Sequence, residues 1–174
     1  MDAHPEPRPK AHPRVVSERD IKPSEVSHGE RFGYSRKSLS TATGGEKLGC
    51  SLYEVPPGKQ AWPRHYHLAN EEAIFVVEGS GTLMIGDEEF TVSKGDYATF
   101  LAGEARAHRL VNNSDAPLKY LCFSTMNVPD VMVYPDSGKV GLFGGAAPGG
   151  DKEKRTFSKF LSTKEEVGYF DGEE

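Results

Sequence analysis

Short runs of alternating apolar and polar residues fill the chain from about residue 32 to residue 143. Alternation with a period of two is typical of half-buried β-strands, because successive side chains of a strand point to opposite faces. Turn-forming residues such as Gly79-Ser80-Gly81 and Asn112-Asn113-Ser114-Asp115 separate the runs. The pattern predicts strands at Phe32–Ser40, Leu48–Val55, Arg64–His67, Glu72–Glu78, Thr82–Ile85, Glu89–Val92, Tyr97–Phe100, His108–Val111, Leu118–Met126 and Val131–Tyr134.

So many short strands at regular spacing predict an all-β domain, a barrel or sandwich with mostly antiparallel neighbours. We expect this domain to span residues 23–143. Residues 1–22 carry four prolines and mixed charge without apolar periodicity, which predicts an extended Pro-rich arm. Residues 144–174 open with GGAAPGG and predict a Gly-rich hinge and a charged C-terminal tail. Within that tail, one or two helical turns are predicted near Thr163–Val167.

Composition and charge narrow the class of protein. A chain of 174 residues is long enough for one domain with a buried core. Its net charge of -5 provides no broad positive field, so nucleic acid is not expected as a partner. No apolar run approaches the roughly 20 residues that cross a bilayer, and no secretory signal opens the chain. We therefore expect a cytoplasmic protein without a membrane partner. Cys50 and Cys122 lie in apolar runs without C-x-x-C spacing, which predicts free buried thiols.

Four side chains stand out as possible metal ligands. His65 and His67 are separated by one residue, so a strand points both imidazoles to the same side. Glu72 shares a strand face with Ile74 and Val76, which draws its carboxylate inward. A barrel can bring His108, at the start of HRLV, beside them. Three imidazoles and a carboxylate suit one divalent ion such as Zn, Mn, Fe or Ni.

The segments PGKQAWPRHYHLANEEAIFVVEG and GDYATFLAGEARAHRLVN resemble the two motifs of the cupin family. The first motif is matched by Gly58, His65, His67, Glu72 and Gly79, and the second by Gly95, Gly103, His108 and Asn112. The resemblance covers roughly residues 50–126 and implies a double-stranded β-helix, the jelly-roll barrel of cupins. It also implies metal binding by His65, His67, Glu72 and His108, and it favours Glu72 over the neighbouring Glu71. Cupin barrels commonly pair, and edge strands give the physical reason, so a homodimer is expected.

Substrate-binding residues are harder to identify from the sequence. Arg64, Arg106 and Arg109 surround the ligand strands, and an anionic substrate would need a guanidinium. Alternation sends Arg64 and Arg109 to the face opposite the ligands, which leaves Arg106 as the candidate. We take Arg106 and Tyr97 as candidate substrate-binding residues, and Glu72 and Arg106 as candidate catalytic residues.

Three functions are compatible with these residues. The first is a metal-dependent enzyme, such as a sugar or sugar-phosphate isomerase or epimerase, acting on a small oxygenated substrate. The second is an iron-dependent dioxygenase, and the third is a barrel that binds a small ligand without chemistry. The stretch YPDSGKVGLF and the ending from Tyr169 to Glu174 resemble a group of small bacterial cupins, some labelled sugar-phosphate isomerases. This resemblance favours the first function, a metal-dependent isomerase or epimerase.

Overall fold

A computed structural model describes residues 12–103 and 106–173 of the chain. Residues 1–11 of the predicted arm lie outside this part. The described residues form one short helix, α1 (Leu39–Ala42), and short 3-10 turns at Glu18–Asp20, Pro135–Ser137 and Lys152–Lys154. The strands are β1 (Ser24–His28), β2 (Phe32–Ser38), β3 (Leu48–Val55), β4 (Tyr66–His67), β5 (Glu72–Glu78), β6 (Ser80–Ile85), β7 (Glu88–Ser93), β8 (Tyr97–Phe100), β9 (His108–Val111), β10 (Leu118–Thr125), β11 (Asp130–Tyr134), β12 (Lys139–Gly144) and β13 (Phe157–Ser162).

The strands pair in three sheets, and each pairing between described strands is antiparallel. The largest sheet has the order β1-β2-β3-β10-β5-β8, the second β13-β12-β11-β4 and the third β7-β6-β9. Strand β10 is central to the fold because it pairs with β3 on one side and with β5 on the other. Within the described residues, no helix is long and apolar enough to span a bilayer.

The main core joins the largest sheet to the third sheet. Val76 and Leu118 from the largest sheet are fully buried, and Leu83 and Val92 from the third sheet pack into the same cluster. A smaller cluster on the second sheet contains Met132, Tyr134 and Phe143. Burying each large apolar side chain contributes roughly 1.5–3 kcal/mol, so these clusters stabilise the rolled arrangement of the sheets. The all-β domain with antiparallel neighbours expected from the sequence is thus observed in the described residues.

Each strand predicted from the alternation pattern overlaps an observed strand, but β1, β12 and β13 were not predicted. Strand β1 is exposed throughout and Val26 is its single apolar residue, so no alternating apolar face marked it. The predicted helical turns at Thr163–Val167 are wrong, because the tail instead forms β13 and continues without a helix. The Thr163 amide donates to the Gly138 carbonyl and so belongs to the end of the β12–β13 pairing.

The turn between β5 and β6 depends on a glycine. Gly79 adopts φ +82°, which L side chains rarely tolerate, and a Cβ there would lie 2.5 Å from the Pro117 carbonyl oxygen. Gly58 has a similar φ of +72°, but a Cβ there would meet nothing within 4 Å. Comparing alanine substitutions at the two positions therefore distinguishes the cost of backbone strain, which both share, from the cost of a direct clash, which occurs only at Gly79.

We expect Gly79→Ala to destabilise the protein more than Gly58→Ala. Backbone strain alone should cost Gly58→Ala about 1–2 kcal/mol of unfolding free energy. The clash with Pro117 should cost Gly79→Ala about 2 kcal/mol more, because the rigid backbone cannot move aside. Urea denaturation of both variants measures the difference. Equal free energies of unfolding would show that the close approach at Gly79 is not a constraint.

Candidate metal centre

Backbone pairing brings the candidate ligands together. Strand β4 carries His67 and pairs with β11, where His67 lies opposite Met132. The amide and carbonyl groups of His65 and His108 exchange two hydrogen bonds of 3.1 and 2.8 Å, which forms an antiparallel bridge. Although far apart in sequence, the two histidines are thus held opposite each other by main-chain atoms. All three imidazoles are buried.

Glu72 is the point on which the imidazoles converge. It begins β5, and its Oε2 lies 3.6, 3.3 and 3.4 Å from the Nε2 atoms of His65, His67 and His108. The ligand atoms of His65, His67 and Glu72 all lie within 4.8 Å of one another, so this group could hold a metal ion. The structure therefore brings the four predicted side chains to one place. Glu71, the competing carboxylate, is exposed.

Hydrogen bonds outside the cluster fix the orientation of two imidazoles. The Nδ1 of His65 donates to the Pro63 carbonyl at 2.8 Å, and the Nδ1 of His67 donates to Asp130 Oδ2 at 2.6 Å. A proton on Nδ1 leaves the lone pair of Nε2 directed at the cluster, as a metal ligand requires. The buried Nε2 of His67 has no hydrogen-bond partner among the described residues, although Glu72 is near. This unpartnered nitrogen fits a metal ion.

Asp130 is a residue of the candidate site that the sequence reasoning missed. Its side chain is almost completely buried, and its Oδ1 accepts a hydrogen bond from the Ala69 amide at 3.1 Å. The other carboxylate oxygen holds His67, which makes Asp130 an outer partner of the candidate ligand. A sequence signal was available, because Asp130 shares the inward face of β11 with Met132 and Tyr134. A carboxylate on an apolar strand face requires a partner.

His108 is oriented by stacking instead of by an outer hydrogen bond. The Phe100 ring lies parallel to the His108 ring, with a centroid separation of 3.7 Å and an interplanar angle of 4°. The Nδ1 of His108 is buried and has no hydrogen-bond partner in the described part of the chain. Burial lowers the pKa of His108 to about 4 even though Glu72 opposes this effect. His108 is therefore neutral at pH 7, the form in which an imidazole can bind a metal.

The two charged neighbours of His67 change its protonation in the metal-free protein. Burial lowers the pKa of His67, but Glu72 and Asp130 together outweigh burial and raise it to about 10. Burial alone would raise the pKa of Glu72, yet His67 and the other two histidines hold it well below its usual range. Without a metal, a proton on His67 thus offsets part of the negative charge. A divalent ion would displace that proton.

The cluster lies on the wall of a cavity of about 590 Å³. Aromatic side chains form much of the wall, including Tyr34, Tyr53, Trp62 and Tyr120. Tyr53 and Tyr120 stack with a centroid separation of 5.3 Å and an interplanar angle of 12°. Cys50 and Cys122 are free thiols at the same cavity and are partly buried. The enclosure is large enough for a small organic molecule beside the candidate ligands.

The predicted substrate-binding residues lie elsewhere. Arg106 is half-exposed and its Nη2 contacts Glu88 Oε1 at 2.6 Å, outside the cavity wall. Tyr97 is 63% exposed and also lies outside the wall. Arg64 contacts Asp136 and Asp87, away from the ligands as alternation predicted. Arg109 contributes to the cavity wall, contrary to the alternation argument. The roles of Arg106 and Tyr97 stay predictions.

We expect Asp130→Asn to weaken binding of zinc about 10- to 100-fold, because the amide no longer provides the charged acceptor that orients His67. Isothermal titration calorimetry measures the affinity of metal-free protein for zinc. Asp136→Asn is the matched control, since Asp136 pairs with Arg64 at the surface, and its affinity should match the wild type. Equal affinities of the wild type and Asp130→Asn would exclude this role for Asp130.

Comparison with known proteins places the barrel in a family. The family model described as Cupin domain matches residues 51–124. An uncharacterised protein of Methanocaldococcus jannaschii is 37% identical over 70 residues, which are 40% of this chain and 54% of the relative. Quercetin 2,3-dioxygenase of Bacillus subtilis is 29% identical over 96 residues, which are 53% of this chain and 28% of that enzyme. The chain thus matches about half of the first relative and less than a third of the second.

Two solved structures extend the similarity beyond the matched barrel. A candidate sugar phosphate isomerase of Acidithiobacillus ferrooxidans aligns with a TM-score of 0.73 and 24% identity over 89% of this chain and 96% of that chain. A sugar phosphate isomerase of the cupin superfamily from Silicibacter pomeroyi aligns with a TM-score of 0.72 and 25% identity over 85% of this chain and 92% of that chain. Residues 51–124 therefore match a cupin domain, and the all-β cupin jelly roll expected from the sequence is confirmed.

Proposed function

We propose that this protein is a metal-dependent isomerase or epimerase that acts on a sugar phosphate or a similar small oxygenated substrate. The observation that carries the proposal is the convergence of His65, His67 and His108 on Glu72 at the wall of a cavity of about 590 Å³. The two cupin structures described as sugar phosphate isomerases support the substrate class, since both align over most of this chain.

The four side chains are proposed to hold one divalent metal ion. His65, His67 and Glu72 already form a compact group, and His108 approaches the same carboxylate oxygen. Nitrogen ligands with one carboxylate favour zinc, manganese, iron or nickel over calcium and magnesium, which prefer oxygen ligands. A bound ion of this kind supplies Lewis-acid chemistry, polarising a carbonyl or hydroxyl oxygen.

Glu72 is the side chain proposed to move the proton. Aldose–ketose isomerisation takes a proton from the carbon beside the carbonyl and returns it to the carbonyl carbon, while the hydroxyl proton moves to the former carbonyl oxygen. A carboxylate near both carbons can carry the first of these protons. The neighbouring histidines hold the pKa of Glu72 well below its usual range, so its carboxylate is ionised at neutral pH. Its side chain retains 15% exposure at the cavity.

Tyr53 and Tyr120 are proposed to orient the substrate. Both line the cavity, and burial raises the pKa of each phenol well above its usual range. The hydroxyl groups therefore remain protonated and can donate hydrogen bonds to substrate oxygens. The aromatic wall around them would exclude water from the reacting carbons.

An iron-dependent dioxygenase is the second candidate. The 29% identity with quercetin 2,3-dioxygenase favours it, and the same ligands are compatible with iron. Dependence on a redox-active metal separates the two functions, because isomerisation needs no electron transfer. A barrel that only binds a ligand would show neither turnover nor oxygen uptake.

We expect the zinc- or manganese-loaded protein to interconvert at least one aldose phosphate and ketose phosphate in a panel followed by NMR. Glu72→Gln should lower kcat about 100-fold or more, because it removes both a ligand and the proton carrier. Glu71→Gln provides the matched control and should retain activity within about twofold, since Glu71 is exposed.

Absence of turnover across the panel in both metal forms would refute the isomerase proposal. Oxygen consumption that depends on ferrous iron would replace it with the dioxygenase. Equal activity in the Glu72→Gln and Glu71→Gln variants would remove Glu72 from the mechanism.

We also propose that the chain forms a homodimer through β13. This strand pairs with β12 along one edge, and each of its residues is exposed, including Phe160 and Leu161. An exposed edge strand with apolar side chains tends to pair with another chain.

Light scattering at micromolar concentration should give a dimer mass for the wild type. Leu161→Lys should shift the mass toward the monomer, because it places a charge on the proposed interface. Val167→Lys, a change at an exposed residue beyond the strand, should leave the dimer intact. A monomeric wild type would refute the dimer.

A further inference from the structure

Two arginines that the proposed chemistry does not use line the same cavity as the metal cluster. Arg36 lies on β2, on the strand face that carries the buried Tyr34, and Arg155 lies just before β13. Neither belongs to a motif that the sequence singled out. Both are partly buried, so their charges are not freely solvated.

The hydrogen bonds of Arg36 go only to neutral groups within the described residues. Its Nε donates to Ser51 Oγ at 3.0 Å, and its Nη2 donates to the Gly149 carbonyl at 2.8 Å and to Ser38 Oγ at 3.5 Å. A guanidinium has five N–H groups, so the donors of Nη1 remain available. The Tyr53 ring lies below it, 5.9 Å from the guanidinium carbon.

Arg155 has fewer hydrogen-bond partners than Arg36. Its Nη2 donates to the Ala147 carbonyl at 3.4 Å, while its buried Nε has no partner in the described part of the chain. A buried donor without a partner costs roughly 1–3 kcal/mol, so a bound acceptor would stabilise it. The Phe143 ring lies 5.1 Å from its guanidinium carbon.

One short loop holds the two guanidinium groups near each other. Their acceptors are the carbonyls of Gly149 and Ala147, and two residues of chain span at most about 7 Å. Arg36 is close enough to lower the pKa of Arg155, in addition to the larger effect of burial. Like charges held together in a partly enclosed space favour an anion between them.

No carboxylate supplies that negative charge among residues 12–103 and 106–173. Neither Arg36 nor Arg155 forms an ion pair there, in contrast to Arg64 and Arg106. Glu25 also lines the cavity, but it is exposed and makes no ion pair with either arginine. Lys152 adds a further positive charge to the wall.

We propose that Arg36 and Arg155 form an anion subsite that binds the phosphate group of a substrate whose other end lies at the metal cluster. This inference rests on the proposed function for the identity of that substrate. Guanidinium groups match phosphate oxygens in geometry and remain charged at any working pH. The phosphate would accept hydrogen bonds from Nη1 of Arg36 and from Nε and Nη1 of Arg155.

The sheet register sets the length of the substrate. Arg36 lies opposite Tyr53, Tyr53 opposite Tyr120, and Tyr120 opposite Val76 of the strand that carries Glu72. Three strand spacings separate β2 from β5, which is about 14 Å between backbones, and Val76 lies four residues, about 13 Å, along β5 from Glu72. Side chains that reach inward from a curved sheet shorten this gap. An elongated phosphorylated sugar therefore fits better than a compact dicarboxylate.

Binding of inorganic phosphate to the full-length, metal-free protein tests the subsite without contributions from a metal or from turnover. Titration calorimetry is performed on the wild type, Arg36→Met, Arg155→Met and Arg19→Met. We expect Arg36→Met and Arg155→Met each to weaken binding about tenfold or more, since each loses charged hydrogen bonds. Arg19→Met makes the same change in charge at an exposed residue outside the cavity wall, so its affinity should stay within about twofold of the wild type.

Arg36 and Arg155 also hold the loop at residues 147–150, so thermal melting of each variant is measured first. If a methionine variant does not fold, Arg36→Lys and Arg155→Lys retain the charge but lose the planar fork, and each should weaken phosphate binding about threefold or more. A wild type that binds no phosphate at about 20 mM would overturn the proposal. Equal binding by all folded variants would overturn it too.

The result is independent of the isomerase assay. Phosphate binding that requires both arginines, together with no isomerase turnover, would retain the subsite and reject the proposed reaction. Conversely, turnover of a sugar phosphate with the same KM in the wild type and in Arg36→Met would retain the reaction and reject the subsite.

Discussion

The buried carboxylate of Glu72 is the constraint on which the site depends. Its Oε2 lies within 3.6 Å of three imidazole nitrogens, and the cost of burying an unpaired carboxylate requires positive charge at that point. Each imidazole is then held by a different contact: a backbone carbonyl for His65, Asp130 for His67 and the Phe100 ring for His108. The cluster is thus prepared for a cation by its surroundings and not by the ligands alone.

Main-chain pairing gives this arrangement its rigidity. The reciprocal hydrogen bonds between His65 and His108 join two segments that the sequence separates widely, and β10 anchors β5 from the other side. Asn112 closes the turn after β9 by donating to the carbonyls of Val55 and Ala116, each at 2.8 Å. The second motif therefore contributes one candidate ligand and one residue that shapes the backbone. The segment from His108 to Asn112 thus carries both a candidate ligand and a residue that stabilises the turn.

The sequence predicted the all-β fold and the residues that the structure brings together at Glu72, because both predictions depend on local rules. Alternation located the central strands, and the spacing of His65 and His67 placed both on one face. Sequence patterns did not predict features that depend on tertiary contacts. Phe157–Ser162 pairs with β12 although its neighbours in sequence are charged. Asp130 becomes part of the site only through its hydrogen bond with His67 on another strand. Alternation left Arg106 as the candidate beside the ligands, but its side chain forms an ion pair with Glu88 at the surface. Arg36 and Arg155 belong to segments far from the motifs, so no spacing could connect them.

Part of the cavity wall is built from segments of the chain that lie outside the candidate ligand strands. Strand β1 contributes Ser24 to Val26, and the glycine-rich loop contributes Pro148 to Gly150. These segments carry none of the candidate ligands, and they enter the sheets at their outer strands. Insertions or exchanges in these outer segments can therefore reshape this part of the wall while the inner cluster stays intact. Chains that differ there would keep the same cluster and enclose a differently shaped space beside it.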